Sequence, residues 1–251
     1  MYFKVSKKEF YNALSVASRA ISTFSPLPAF SGIKIDAKED CLILTGSDSD
    51  VSIQTKLTKS EECVLEIRDM GSIVIEAKYI LEIVRKIDAD EIEFEMIDGS
   101  LTKISGNTAE FRINGMRANE YPAIDFSKPK ECFALKEETL KKVILQTSFA
   151  TSDKETRPVL TGVNFHCEGN TLHCVATDSY RLAKKTIDIS ESLNFNITIP
   201  AKSLSEVVKT LEGEGEVEIA VNDKKAQFII HDTIVQTRLI DGVYPETSRL
   251  I

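Results

Sequence analysis

The strongest constraint on this chain is that it is written twice. Residues 25–50, SPLPAFSGIKIDAKEDCLILTGSDSD, lie over residues 156–180, TRPVLTGVNFHCEGNTLHCVATDSY, and one offset of 130 pairs Pro28 with Pro158, Gly32 with Gly162, Leu42 with Leu172 and Asp48 with Asp178. Farther on, EAKYILEIVRKI (76–87) matches PAKSLSEVVKTL (200–211) at an offset of 124, and Tyr121-Pro122 matches Tyr244-Pro245 at 123. The drift is what a shortened loop leaves. A repeated sequence predicts a repeated structural unit, so the 251 residues are read as two equivalent domains, 1–127 and 128–251, joined near Ser127-Lys128-Pro129-Lys130.

Within each copy the hydrophobic period changes in the same order. Phe10, Leu14, Ala17 and Ile21 recur at helical spacing after Ser6, with Glu9 three residues on from Ser6, which predicts a helix closed by a capping box. Leu140, Val143, Ile144 and Thr147 do the same in the second copy, and second helices are carried by Ile80, Ile83, Val84 and Ile87 and by Leu204, Val207, Val208 and Leu211. EIEFEMIDGSLTKISG and EVEIAVNDKKAQFIIHD alternate apolar and polar residues around Asp-Gly and Asn-Asp turns, as hairpins do. The expected class is α+β, two repeated domains each with two helices packed on antiparallel sheets.

Charge is unevenly spread. The chain carries a net charge of −8, yet 6–21 is +2 and each of 76–87, 136–149 and 201–211 is +1, so the rest holds −13. Basic helices on an acidic protein are either the solvated faces of amphipathic helices or a surface for a polyanion. No run of about 20 apolar residues is present to span a bilayer, and polar residues interrupt the apolar runs of MYFKVSKKEFYNALSV, so neither a membrane span nor a secretory signal is expected. The expected location is the cytoplasm. Cys41, Cys63, Cys132, Cys167 and Cys174 are scattered and odd in number, which predicts free thiols. FHCEGNTLHC repeats His-Cys seven residues apart, but adjacent strand residues face opposite ways, so metal binding is not expected.

Residues 177–181, Thr-Asp-Ser-Tyr-Arg, have the density of reactive groups that catalysis needs. A serine nucleophile also requires a positioned base, and His166, His173 and His231 stand in no motif relation to Ser179. Asp48 and Asp50 without further carboxylates are weak magnesium ligands. No catalytic residue, metal or cofactor is expected.

Taken in order, LPAFSGIKI, LTGSDSDVSI, FRINGMRANEYPAID, TRPVLTGVNF, VATDSYRLA and the terminal YPETSRLI resemble the bacterial DNA polymerase III β subunit, the sliding clamp family, over the whole chain. The resemblance implies part of a ring, with helices lining a central hole and sheets outside, that encircles duplex DNA without reading sequence. Its implied partners are double-stranded DNA, the DNA polymerase III catalytic subunit, the clamp loader and other proteins carrying a clamp-binding motif, on a nucleoid-associated, non-enzymatic homodimer. Family chains hold three such repeats. This sequence ends at Ile251 where a connection to a third would begin, so a shortened or proteolysed form lacking one edge of the ring contact is expected. The two-domain clamps of archaea and eukaryotes have similar length, but the motifs favour the bacterial type.

The resemblance places an apolar cleft for short Gln-, Leu- and Phe-rich partner peptides on Leu160, Thr177, Tyr180, Arg181, Leu182, Pro245, Arg249 and Leu250. Core packing is the alternative for Leu160 and Leu182. The repeat discriminates, because Asp50 and Val51 stand in the first copy where Tyr180 and Arg181 stand in the second. For DNA it places Lys78 and Lys202 near the starts of the second helices and Lys154 in the loop before RPVLTG, while Phe24 occupies a position that is basic in some members. Lys142, Arg19 and Arg85 join them from helix position and charge alone, against the alternative of plain solvated surface.

Overall fold

The structure, a computed structural model, describes residues 1–248. It divides into two compact units, Met1–Asp125 with Asp232–Ile234, and Phe126–His231 with the residues from Val235 on.

The first unit begins with β1 (Tyr2–Ser6), which runs straight into α1 (Lys7–Ser18). There follow β2 (Gly32–Ala37), β3 (Cys41–Ser47), β4 (Val51–Thr58), β5 (Leu65–Asp69), β6 (Gly71–Glu76), α2 (Ala77–Lys86), β7 (Glu91–Asp98), β8 (Leu101–Gly106), β9 (Ala109–Asn114) and the short β10 (Met116–Arg117). The strands lie in the orders β5-β1-β7-β8-β9 and β10-β6-β2-β3-β4. α1 buries Phe10, Ala13, Leu14 and Ala17 and α2 buries Ala77, Ile80 and Val84; of the other expected stripe positions, Ile83 is half-buried and Ile21 and Ile87 fall past the helix ends. Phe3, Phe10 and Phe94 meet at the centre, with Phe3 and Phe94 stacked at 4.7 Å and Phe10 edge-on to Phe3 at 5.7 Å. Each such fully buried side chain contributes about 1.5–3 kcal/mol.

The second unit repeats the plan with β11 (Glu131–Lys136), α3 (Glu137–Thr147), β12 (Gly162–Thr177), β13 (Leu182–Pro200), α4 (Ala201–Thr210), β14 (Glu216–Val221), β15 (Lys225–Ile230) and β16 (Thr233–Arg238). The duplication holds to the register. Ile33 opposes Ile75 in the first unit as Val163 opposes Ile199 in the second. Gly32 and Gly162 are twins for a steric reason, since a Cβ would lie 3.0 Å from the Ile75 carbonyl oxygen at one and 2.6 Å from that of Ile199 at the other. The non-glycine residues with positive φ also fall in pairs, Ser49 (84°) with Ser179 (78°) and Asn107 (50°) with His231 (50°). His166 and His173 share one face of β12, ring centres 6.5 Å apart, while Cys167 and Cys174 are buried.

One local expectation is overturned. Ser6 is the N-cap of α1, but its side chain caps nothing. Its Oγ accepts the Val64 N–H at 2.7 Å instead. β1 enters the helix with no intervening loop, so the hydroxyl is held against a neighbouring segment and the capping box with Glu9 does not form.

Candidate functional site

β12 ends at Thr177 and β13 starts at Leu182, and these two residues oppose one another across a four-residue turn. Asp178 builds the turn. Its Oδ1 accepts the N–H groups of Tyr180 at 2.9 Å and Arg181 at 3.0 Å, while Thr177 Oγ1 donates to the Arg181 carbonyl at 2.7 Å. These bonds from the Tyr180 and Arg181 amides hold the Asp178 carboxyl below its usual range. The first unit makes the same turn: Asp48 Oδ1 accepts from Asp50 at 3.0 Å and Val51 at 2.8 Å, and Ser47 Oγ donates to the Val51 carbonyl at 3.1 Å. The turn therefore belongs to the repeat, and the side chains it carries do not.

In the second unit the turn forms one wall of a groove of about 360 Å³ lined by Arg157, Thr177, Ser179, Tyr180, Arg181, Leu182, Pro245 and Thr247. Tyr180 is 95% exposed, an aromatic ring with almost no cover from its own chain. Arg181 is oriented by its Nε–H, which donates to Asp178 Oδ2 at 3.0 Å, and its guanidinium carbon sits 5.8 Å from the Phe149 ring centre. Arg157 donates from Nη1 to Ser179 Oγ at 3.2 Å, tying the loop before β12 to the turn. The opposite wall is placed by Tyr244, whose hydroxyl oxygen accepts the Thr177 N–H at 2.9 Å and so fixes the segment that carries Pro245. The result is a concave surface with apolar positions at Leu182 and Pro245, an aromatic rim and two guanidinium groups able to donate to peptide carbonyls.

Of the expected cleft residues, Thr177, Tyr180, Arg181, Leu182 and Pro245 come together here. Leu160 is not among the residues lining the groove: it sits in the 3-10 turn Pro158–Thr161 and is buried, 3% exposed. Arg249 and Leu250 lie outside the described residues. Arg157, Ser179 and Thr247 were missed. Arg157 carried a signal, a basic residue directly before the Pro158 of the repeated motif, where the first copy has Leu27.

The basic candidates are dispersed. Lys78 and Lys202 are each the second residue of their helix, α2 and α4, and both are exposed. Lys78 pairs with Glu76 at 2.9 Å and lies over the Tyr79 ring at 4.6 Å. Lys142 pairs with Glu138 at 2.6 Å and Arg85 with Glu82 at 2.6 Å. Exposed pairs of this kind are screened by solvent and hold their partners weakly, so the cations exchange partners at little cost. Lys154 is exposed in the loop before β12, and Arg19 is exposed at the C-terminal end of α1.

Comparison with known proteins matches residues 1–125 to the DNA polymerase III β subunit N-terminal domain and 134–246 to the central domain of the same subunit. The β sliding clamp of Halalkalibacterium halodurans is 39% identical over 258 residues, covering 100% of this chain and 68% of that protein. The chain belongs to the bacterial β sliding clamp family. The crystal structure of the sliding clamp from Bacillus subtilis superposes with a TM-score of 0.97 at 36% identity, over 100% of this chain and 67% of that one. A sliding clamp from Bartonella birtlesii bound to griselimycin gives 0.91 at 27% identity, over 100% and 68%. Within the β clamp framework the groove falls mainly in the central-domain match, and the N-terminal-domain match repeats its turn without Tyr180 and Arg181.

Proposed function

We propose that the chain acts as a DNA sliding clamp, a non-enzymatic processivity factor that encircles duplex DNA and tethers the replicative polymerase and other replication and repair proteins through the groove of the second unit. The observation that carries the docking assignment is the pair Tyr180-Arg181: the fold makes the same turn twice, yet only the second is dressed with an exposed ring and a guanidinium over a groove. An exposed tyrosine beside an arginine at the rim of a groove is the residue pairing that carries most of the energy at binding surfaces. Duplex DNA is met by phosphate contacts from Lys78, Lys202, Lys154, Lys142, Arg19 and Arg85, which are sequence-independent and weak enough to permit sliding. The ring in this reading is a homodimer of longer chains, and the two repeats here correspond to 67% of the Bacillus subtilis clamp chain. The working compartment is the cytoplasm.

The docking test is direct. A fluorescent peptide rich in Gln, Leu and Phe is titrated into the protein and into a variant with alanine at 180, 181 and 182. Affinity is expected to drop more than tenfold with the thermal unfolding midpoint little changed, and equal affinity for the two proteins overturns the assignment.

A further inference from the structure

Because the two units are copies, a position where the second alone exposes an apolar side chain marks something the fold does not require. The groove turn is one such place. α3 is another. At the offset of 130, the buried positions of α3 match those of α1: Leu140 with Phe10, Val143 with Ala13, Ile144 with Leu14 and Thr147 with Ala17. The exposed positions do not. Where α1 has Ser15 and Arg19, the second unit presents Leu145, 55% exposed, and Phe149, 58% exposed. Four residues apart, they lie on one face of the helix and the turn that ends it. This apolar pair adjoins the groove, because the Arg181 guanidinium that lines it is 5.8 Å from the Phe149 ring centre.

We propose that Phe149, backed by Leu145, extends the docking groove past Arg181 and receives an apolar residue flanking the short motif of a partner peptide. The inference rests on the docking reading above and adds a specificity element to it. The occupant is a longer stretch of the same linear peptide, since the shelf is continuous with the groove and offers an aromatic face bordered by a guanidinium. Arg181 stays positioned by Asp178 at 3.0 Å, so the incoming side chain packs on the ring without displacing the cation. Half-covering an exposed phenyl ring and an opposing apolar side chain strengthens binding about five- to tenfold.

Two synthetic peptides test this: the Gln-, Leu- and Phe-rich motif alone, and the motif extended at both ends by leucine-containing flanks. Each is titrated against the protein and against Phe149→Arg, which installs the residue that the first unit tolerates at the twin position, and Phe149→Leu, which keeps apolar surface. The extended peptide is expected to bind the parent more tightly than the short one, to lose about five- to tenfold with Phe149→Arg and to lose little with Phe149→Leu. The short peptide is expected to bind all three alike. Equal loss for both peptides, or no loss for either, overturns the extension while leaving the groove assignment standing. If neither peptide binds the parent protein, the docking reading itself fails and the extension with it. Circular dichroism of both variants checks that they are folded.

Discussion

The Tyr244 hydroxyl oxygen accepts the backbone N–H of Thr177 at 2.9 Å across 67 residues of chain. That single bond joins the end of β12 to the segment bearing Pro245, the two walls of the groove. Burial pushes the Tyr244 phenol up from its ordinary range, so the hydroxyl keeps its proton throughout the working pH.

Tyr244→Phe removes the acceptor and leaves the Thr177 N–H without its partner. Stability is expected to fall by about 1–3 kcal/mol, the cost of an unsatisfied part-buried donor, and peptide affinity to fall with it as Pro245 loses its anchor. Urea unfolding alongside peptide titration checks both. Unchanged affinity in a destabilised protein would show that the bond holds the fold but not the groove.

A pH dependence follows from Asp178. Its carboxyl is lowered by the Tyr180 and Arg181 N–H groups and by the Arg181 guanidinium. A group depressed in the folded state contributes stability above its unfolded value of 3.8, and that contribution is lost as pH falls through the folded value. The turn should stay intact at neutral pH and loosen only below the ordinary carboxylate range. Titrating the Asp178 carboxyl by NMR should give a midpoint under that of a free aspartate. Asp178→Asn should weaken peptide binding at neutral pH, since the amide keeps one acceptor but loses the charge that orients Arg181.

Glu137 supplies a stability test away from the groove. Its side chain is fully buried, its Oε2 accepts the N–H groups of Glu212 and Gly213 at 2.7 Å each, and His231 Nε2 lies 2.9 Å from Oε1. Glu137→Ala should cost about 3 kcal/mol, because hydrogen bonds to a charged acceptor contribute about 1.5–3 kcal/mol and two donors are orphaned. Glu137→Gln, which retains the shape and one acceptor, should cost less than half as much. Both values come from denaturant unfolding, and peptide affinity should not change in either variant.

The architecture was legible because duplication makes each half a check on the other. Gly32 and Gly162, Pro28 and Pro158, and the apolar stripes of all four helices carry the same steric demand twice. Tyr180 and Arg181 stood out by breaking that symmetry. What sequence spacing missed lies in tertiary pairings. Ser6 read as a cap because Glu9 follows at the right interval, but its hydroxyl is taken by an N–H 58 positions away. Leu160 is placed in the cleft by the family resemblance, whereas the turn Pro158–Thr161 holds it buried and outside the groove lining. Arg157 was passed over because its partner Ser179 is 22 residues distant and only the folded turn brings them within 3.2 Å.

Lys78 and Lys202 give the sharpest test of the DNA-facing assignment because they are twins: each is the second residue of the later helix in its unit, and each is exposed. Lys78 pairs with Glu76 at 2.9 Å, so contacting a phosphate means trading one exposed partner for another. That exchange releases condensed counterions from the duplex and makes the contact visible in salt. Each phosphate neutralised contributes about 0.9 to the slope of log affinity against log salt, so Lys78→Glu with Lys202→Glu should flatten it by about 1.8. Binding to a linear duplex, measured by anisotropy from low to moderate salt, gives the slope. The affinity loss should be largest at low salt, where counterion release contributes most, and should not depend on the duplex sequence, since phosphates carry no base information. A parallel drop in affinity with an unchanged slope would mean that the lysines act through the fold rather than on phosphate.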